Sequence, residues 1–130
     1  MRKSIKSIIA VAGIVGLLST APVAMAGVGD VVKRGSCSAA SDWKLKLSPQ
    51  DGNIEVEFEV DSNVVGQTWQ VRLTKNGTQI FSGTKVTQAP SGSFTVRKVT
   101  SNPAGTDTIR GRAVNAATGE TCVGAAQFTV

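Results

Sequence analysis

WKLKLSPQDGNIEVEFEV (residues 43–60) alternates apolar and charged residues on both sides of a turn-rich centre. Trp43, Leu45 and Leu47 alternate with Lys44 and Lys46, and Ile54, Val56, Phe58 and Val60 alternate with Glu55, Glu57 and Glu59. A period of two sends every second side chain to the same face, so each run is a half-buried strand and the two form a hairpin. Closing it with Leu47 opposite Ile54 pairs Leu45 with Val56 and Trp43 with Phe58. That register sets Lys46 against Glu55 and Lys44 against Glu57. One face is then apolar and the other alternates opposite charges, each cross-strand pair worth about 0.2–1 kcal/mol. A one-residue slip would destroy both patterns.

The same period continues outward. Trp69, Val71 and Leu73 mark the inner face of a third strand over 68–75, and Asn76-Gly77 supplies a two-residue type I′ turn signal. The partner strand, from Thr78 to about Val86, then places Ile80 opposite Leu73 and turns Phe81 outward beside Arg72. Ala89-Pro90-Ser91-Gly92 turns the chain into a fifth strand marked by Phe94 and Val96. Ser101 to Gly105 is a loop, Ile109, Gly111 and Ala113 mark the inner face of a sixth strand, and Ala117-Thr118-Gly119 leads into a last strand over 120–130. Seven short strands with turn residues between them predict an all-β, seven-stranded antiparallel sandwich.

Arg112-Ala113-Val114-Asn115-Ala116-Ala117-Thr118-Gly119-Glu120 resembles the sixth-strand and final-turn segment of fibronectin type III domains, and residues 103–109 are similar to the corner that precedes it. The resemblance implies a fibronectin type III or immunoglobulin-like sandwich over residues 37–130, with the third and sixth strands adjacent. The chain has no tyrosine, so the tyrosine corner of that group is missing, and its cysteines do not join the second and sixth strands as in antibody domains. The whole chain also resembles short exported proteins of actinobacteria without an assigned activity.

Residues 1–26 read as a signal peptide: Arg2, Lys3 and Lys6 precede the apolar run Ile8–Leu18, and Ala24-Met25-Ala26 suits cleavage. As a helix that run spans only about 16 Å, too short for a hydrocarbon core of about 30 Å. Residues 27–36 show no period and read as a flexible lead-in. Without Arg2, Lys3 and Lys6, eleven Lys/Arg stand against nine Asp/Glu, a balance that argues against nucleic acid as the partner. Two cysteines in an exported chain, Cys37 and Cys122, favour a disulfide. In an alternating seven-stranded sandwich the first and last strands run the same way, which brings both cysteines to one pole.

Sites for chemistry are scarce. The chain has no histidine, which removes the usual base for a serine nucleophile and the usual partner of a thiolate zinc site. No strand–helix glycine loop offers a phosphate cradle, so no cofactor is expected. Glu55, Glu57 and Glu59 could form a carboxylate cluster, but lysines beside them favour a charged outer face. Asp51-Gly52-Asn53 reads as a turn before a calcium loop shared with Asp61, and Asn76-Gly77-Thr78 as turn chemistry before a glycosylation sequon. Trp43 and Trp69 fall on inward phases, which favours core packing over sugar stacking.

The remaining candidate is electrostatic. Arg72 on the third strand and Arg110 and Arg112 on the sixth share an outer face, with Phe81 and Lys85 expected nearby. On the opposite sheet the glutamates are matched by Lys44, Lys46 and Arg97. The reading is a secreted, non-enzymatic binding module whose basic face takes an anionic cell-envelope polymer or an acidic protein surface, without stable membrane insertion after signal cleavage. The alternative is a small secreted inhibitor of an extracellular hydrolase, presenting a loop such as Gln88–Gly92 or Ser101–Gly105.

Overall fold

The computed structural model describes residues 29–130; the export signal read over residues 1–26 lies outside the described residues. Eight strands follow in chain order: β1 (Val31–Ser36), β2 (Asp42–Gln50), β3 (Asn53–Asp61), β4 (Thr68–Lys75), β5 (Thr78–Val86), β6 (Ser93–Ser101), β7 (Thr106–Asn115) and β8 (Thr121–Thr129). They build two four-stranded antiparallel sheets, β1-β2-β3-β6 and β5-β4-β7-β8, packed face to face. The all-β sandwich read from the alternation is the fold, with eight strands in place of seven.

The additional strand corrects the expectation of a flexible lead-in over residues 27–36. Val31–Ser36 pairs with Leu47–Asp42 along its whole length, and Asp30 beside it bridges Lys46 at 3.6 Å. Its inward positions are Val31, Lys33 and Gly35, opposite Leu47, Leu45 and Trp43. A lysine and a glycine on the inner phase of an edge strand erase the apolar alternation, so no period is visible. Lys85 on β5 and Lys98 on β6 occupy the same inner phase on two other edges, opposite Trp69 and Val56. Inward-pointing charges of this kind discourage edge-to-edge pairing with a second sheet.

Two registers differ from the sequence reading. In the β2–β3 hairpin, Leu47 pairs with Val56, Leu45 with Phe58 and Trp43 with Val60, two residues away from the expected alignment. Asp51 (φ 50°) and Gly52 (φ 81°) close it as a two-residue turn, which pulls Gln50 opposite Asn53. A two-residue displacement keeps every side chain on its face. The charge pattern survives, with Lys46 opposite Glu57 and Lys44 opposite Glu59. In the β4–β5 hairpin, Asn76 (φ 51°) and Gly77 (φ 85°) make the expected turn. A bulge between Leu73 and Thr74 then inserts one residue, and Leu73 faces Phe81 instead of Ile80.

The core fills the space between the sheets with Leu45, Leu47, Ile54, Val56, Phe58, Val60, Trp69, Leu73 and Ile109, all fully buried. Each such side chain contributes about 1.5–3 kcal/mol relative to exposure. Trp69 also donates its Nε1–H to Gln67 Oε1 at 3.2 Å, and its ring meets that of Phe94 at 6.3 Å between centroids. Aromatic rings are accommodated by glycines on neighbouring and facing strands. A Cβ on Gly111 would stand 2.8 Å from the Phe58 ring, and Cβ atoms on Gly35 and Gly124 would stand 2.7 Å and 2.5 Å from the Trp43 indole. Trp43 therefore lies in a slot between β1 and β8 that only two backbones without side chains leave open.

Cys37 and Cys122 form a disulfide with Cα atoms 4.3 Å apart across a sequence separation of 85. The eighth strand does not upset the parity argument, because β1 precedes Cys37. Counted from Cys37, the strands to Cys122 number seven, and both cysteines fall at one pole. The loop after Cys37 is held there by Glu120, whose carboxylate accepts from Ser41 N at 2.8 Å, Ser41 Oγ at 3.0 Å and Ala39 N at 3.2 Å.

Candidate functional site

The outer face of the β5-β4-β7-β8 sheet follows from register alone. Ser82, Arg72, Arg112 and Val123 form one row across the four strands. Thr84, Gln70, Val114 and Thr121 form the row on one side, and Thr74, Arg110 and Ala125 lie on the other. Arg72, Arg110 and Arg112 are all exposed. Arg72 and Arg112 stand directly opposite one another across β4 and β7, and with Arg110, Thr74 and Val123 they line one surface depression. Arg72 and Arg112 also line a second depression, bounded by Ser82 and Thr84. The three arginines that the sequence singles out are thus brought together.

No carboxylate shares that face, and the placement of all nine Asp and Glu shows why. Asp42, Glu55, Glu57, Glu59 and Asp61 lie on β2 and β3 of the other sheet, with Asp30 against Lys46. Asp51 is in the β2–β3 turn, Glu120 holds the loop after Cys37, and Asp107 is buried. The opposite sheet is correspondingly self-neutralised: Arg97 reaches Glu57 at 3.5 Å and Glu55 at 3.9 Å, and Lys44 reaches Glu59 at 3.9 Å. Exposed pairs like these add little stability, but they leave one face electrically mixed and the other purely cationic. Among the described residues, Arg72, Arg110 and Arg112 enter no ion pair.

Phe81 and Lys85 do not belong to this face, which corrects the sequence reading. The bulge near Leu73 turns Phe81 inward, where it packs against the core and where Gly83 leaves room for its ring at 3.0 Å from a Cβ position. Lys85 pairs with Trp69 and so takes the inner phase of an edge strand. Thr74, Ser82 and Thr84 replace Phe81 as the neighbours of the arginines.

Other candidates have structural occupations. Trp69 is buried and Trp43 is packed between the sheets. Asn76 donates its Nδ2–H to Asp107 Oδ1 at 2.8 Å and accepts from Thr108 N at 2.8 Å, so the sequon asparagine anchors the hairpin tip. Among the described residues, no three His, Cys, Asp or Glu side chains converge as a metal site. No helix there is long and apolar enough to cross a membrane.

The cysteine pole carries one feature that residue patterns do not reveal. The β3–β4 loop exposes Val64 and Val65, at 50% and 56%, while its backbone is held rigidly. Ser62 Oγ donates to Gly92 O at 3.1 Å, Thr87 Oγ1 donates to Val64 O at 2.6 Å, and Gln67 N donates to Thr87 Oγ1 at 2.8 Å. A Cβ on Gly92 would overlap Val64 N. The Gln88–Gly92 loop therefore serves as the platform on which the valine loop rests. No protein-family model and no curated protein matches the chain.

Proposed function

We propose that the chain is a secreted, non-enzymatic interaction module of the fibronectin type III or immunoglobulin-like kind, and that the outer face of the β5-β4-β7-β8 sheet takes an anionic partner outside the cell. The family assignment is supported by β2 through β8, whose third and sixth members, β4 and β7, are adjacent as the resemblance implies. The binding assignment rests on one observation: three exposed arginines gather on a face that has no carboxylate. A cationic face of this kind attracts an anionic envelope polymer or an acidic protein surface through a field that salt weakens. The test measures binding of residues 27–130 to polyanions at rising salt, beside the variant R72E/R110E/R112E. Binding that falls with salt and is abolished in the variant supports the reading; equal binding by the two proteins refutes it.

The second reading, inhibition of an extracellular hydrolase, gains support from the Val64–Val65 loop, because a loop already held in one conformation loses little freedom on binding and its exposed valines offer apolar area. Stoichiometric loss of hydrolase activity that disappears in V64D/V65D would favour it over the anion-binding face.

A further inference from the structure

Resting on the reading of the basic face as an anion-binding surface, we infer that Arg72 and Arg112 form a two-guanidinium clamp for a phosphoryl oxyanion. The preferred ligand is then a phosphate-based polymer, not a polycarboxylate. Arg72 and Arg112 are cross-strand partners, and like charges in that relation destabilise a sheet. Nothing on the face offsets them, since every carboxylate of the chain lies elsewhere. An anion seated between the two guanidinium groups turns that repulsion into attraction.

The residue type narrows the anion. All three cations on this face are arginine; Lys44 and Lys46 lie on the other sheet with Arg34 and Arg97, Lys33, Lys85 and Lys98 guard edges, and Lys75 bonds Ser101. Each guanidinium is a planar fork that binds two acceptor oxygens at once. One fork occupies the two in-plane oxygens of a carboxylate on their shared side, leaving a poor approach for a second fork. A phosphoryl group presents its oxygens tetrahedrally, so forks from β4 and β7 can approach from different sides. Hydroxyl donors are available on both flanks, with Ser82 and Thr84 along one depression and Thr74 along the other. Arg110 lies one same-face repeat along β7 from Arg112, about 6.5–7 Å away, where it meets the next charge of a linear polymer.

The experiment uses residues 27–130 with inorganic polyphosphate and polyglutamate of matched charge number, titrated at constant ionic strength. Three proteins are compared: the unsubstituted chain, R72K/R112K, which preserves charge but removes both forks, and R97K, which makes the same exchange on the opposite sheet. The unsubstituted chain is expected to bind polyphosphate about tenfold more tightly than polyglutamate, and R72K/R112K to lose about that factor on polyphosphate alone. R97K, on the opposite sheet, is expected to change little. If R72K/R112K binds polyphosphate as well as the unsubstituted chain, or polyglutamate binds equally well, the clamp is wrong while the anion-binding face stands. If neither polymer binds any of the three proteins, the reading of the face fails with it.

Discussion

Introducing a single methyl group at Gly124 should destabilise the domain through Trp43 and through nothing else. The Cβ of Gly124→Ala would stand 2.5, 2.6 and 2.9 Å from three atoms of the indole ring, where carbon atoms prefer about 3.5–4.0 Å. The ring would have to move by about 1 Å, yet the Cβ position of Gly35 on the other strand is already 2.7 Å from the same indole. Trp43 is half-buried and borders a surface depression, so part of the strain can relax outward, and the cost falls within the range of about 1–3 kcal/mol for an overpacked core. At 2 kcal/mol, the melting temperature of a domain this size falls by about 8–16 °C. Guanidinium denaturation of Gly124→Ala, Trp43→Leu and the double variant completes a cycle. In the Trp43→Leu background, Gly124→Ala should cost close to nothing, a coupling of about 1–3 kcal/mol. An equal cost in both backgrounds would refute the slot, because the methyl group would then be acting on something other than the indole.

Three further outcomes are expected. Replacing both cysteines by serine should cost about 4–5 kcal/mol on the chain-entropy account of a loop this long; an unchanged denaturation midpoint would show that the bridge leaves the unfolded chain unconstrained. Asn76→Gly keeps the left-handed turn but removes the hydrogen bonds to Asp107 and Thr108, and should cost about 1–3 kcal/mol because buried Asp107 loses its donor. Retention of full thermal stability would argue against that anchor. Glu120→Ala should cost a similar amount, about 1–3 kcal/mol, and should speed proteolysis near Ala39, since the loop after Cys37 loses three hydrogen bonds; cleavage at the same rate as the unsubstituted chain would contradict it.

Alternation in the sequence determined by itself which face each strand residue takes. Leu45, Leu47, Val56 and Phe58 were assignable to the core, and Lys44, Lys46, Glu57 and Glu59 to the outside, because a strand has a period of two. Turn residues between the alternating runs divided the chain after Cys37 into seven strands, an odd count that brings the cysteines to one pole. Registers were not assignable this way. A period of two is unchanged by a two-residue shift, so the β2–β3 alignment waited on the turn at Asp51-Gly52, and a bulge that no residue pattern announces decided the fate of Phe81. The strand at Val31–Ser36 was hidden because its inner phase holds Lys33 and Gly35, which make sense only against Leu45 and Trp43. The arginine face needed both sources. Sequence supplied three outward arginines, and tertiary pairing of β4 with β7 set Arg72 opposite Arg112. Chain order does not carry the contact between strands separated by two others; the chain leaves through β5 and β6, and β7 returns to hydrogen-bond beside β4 in the same sheet.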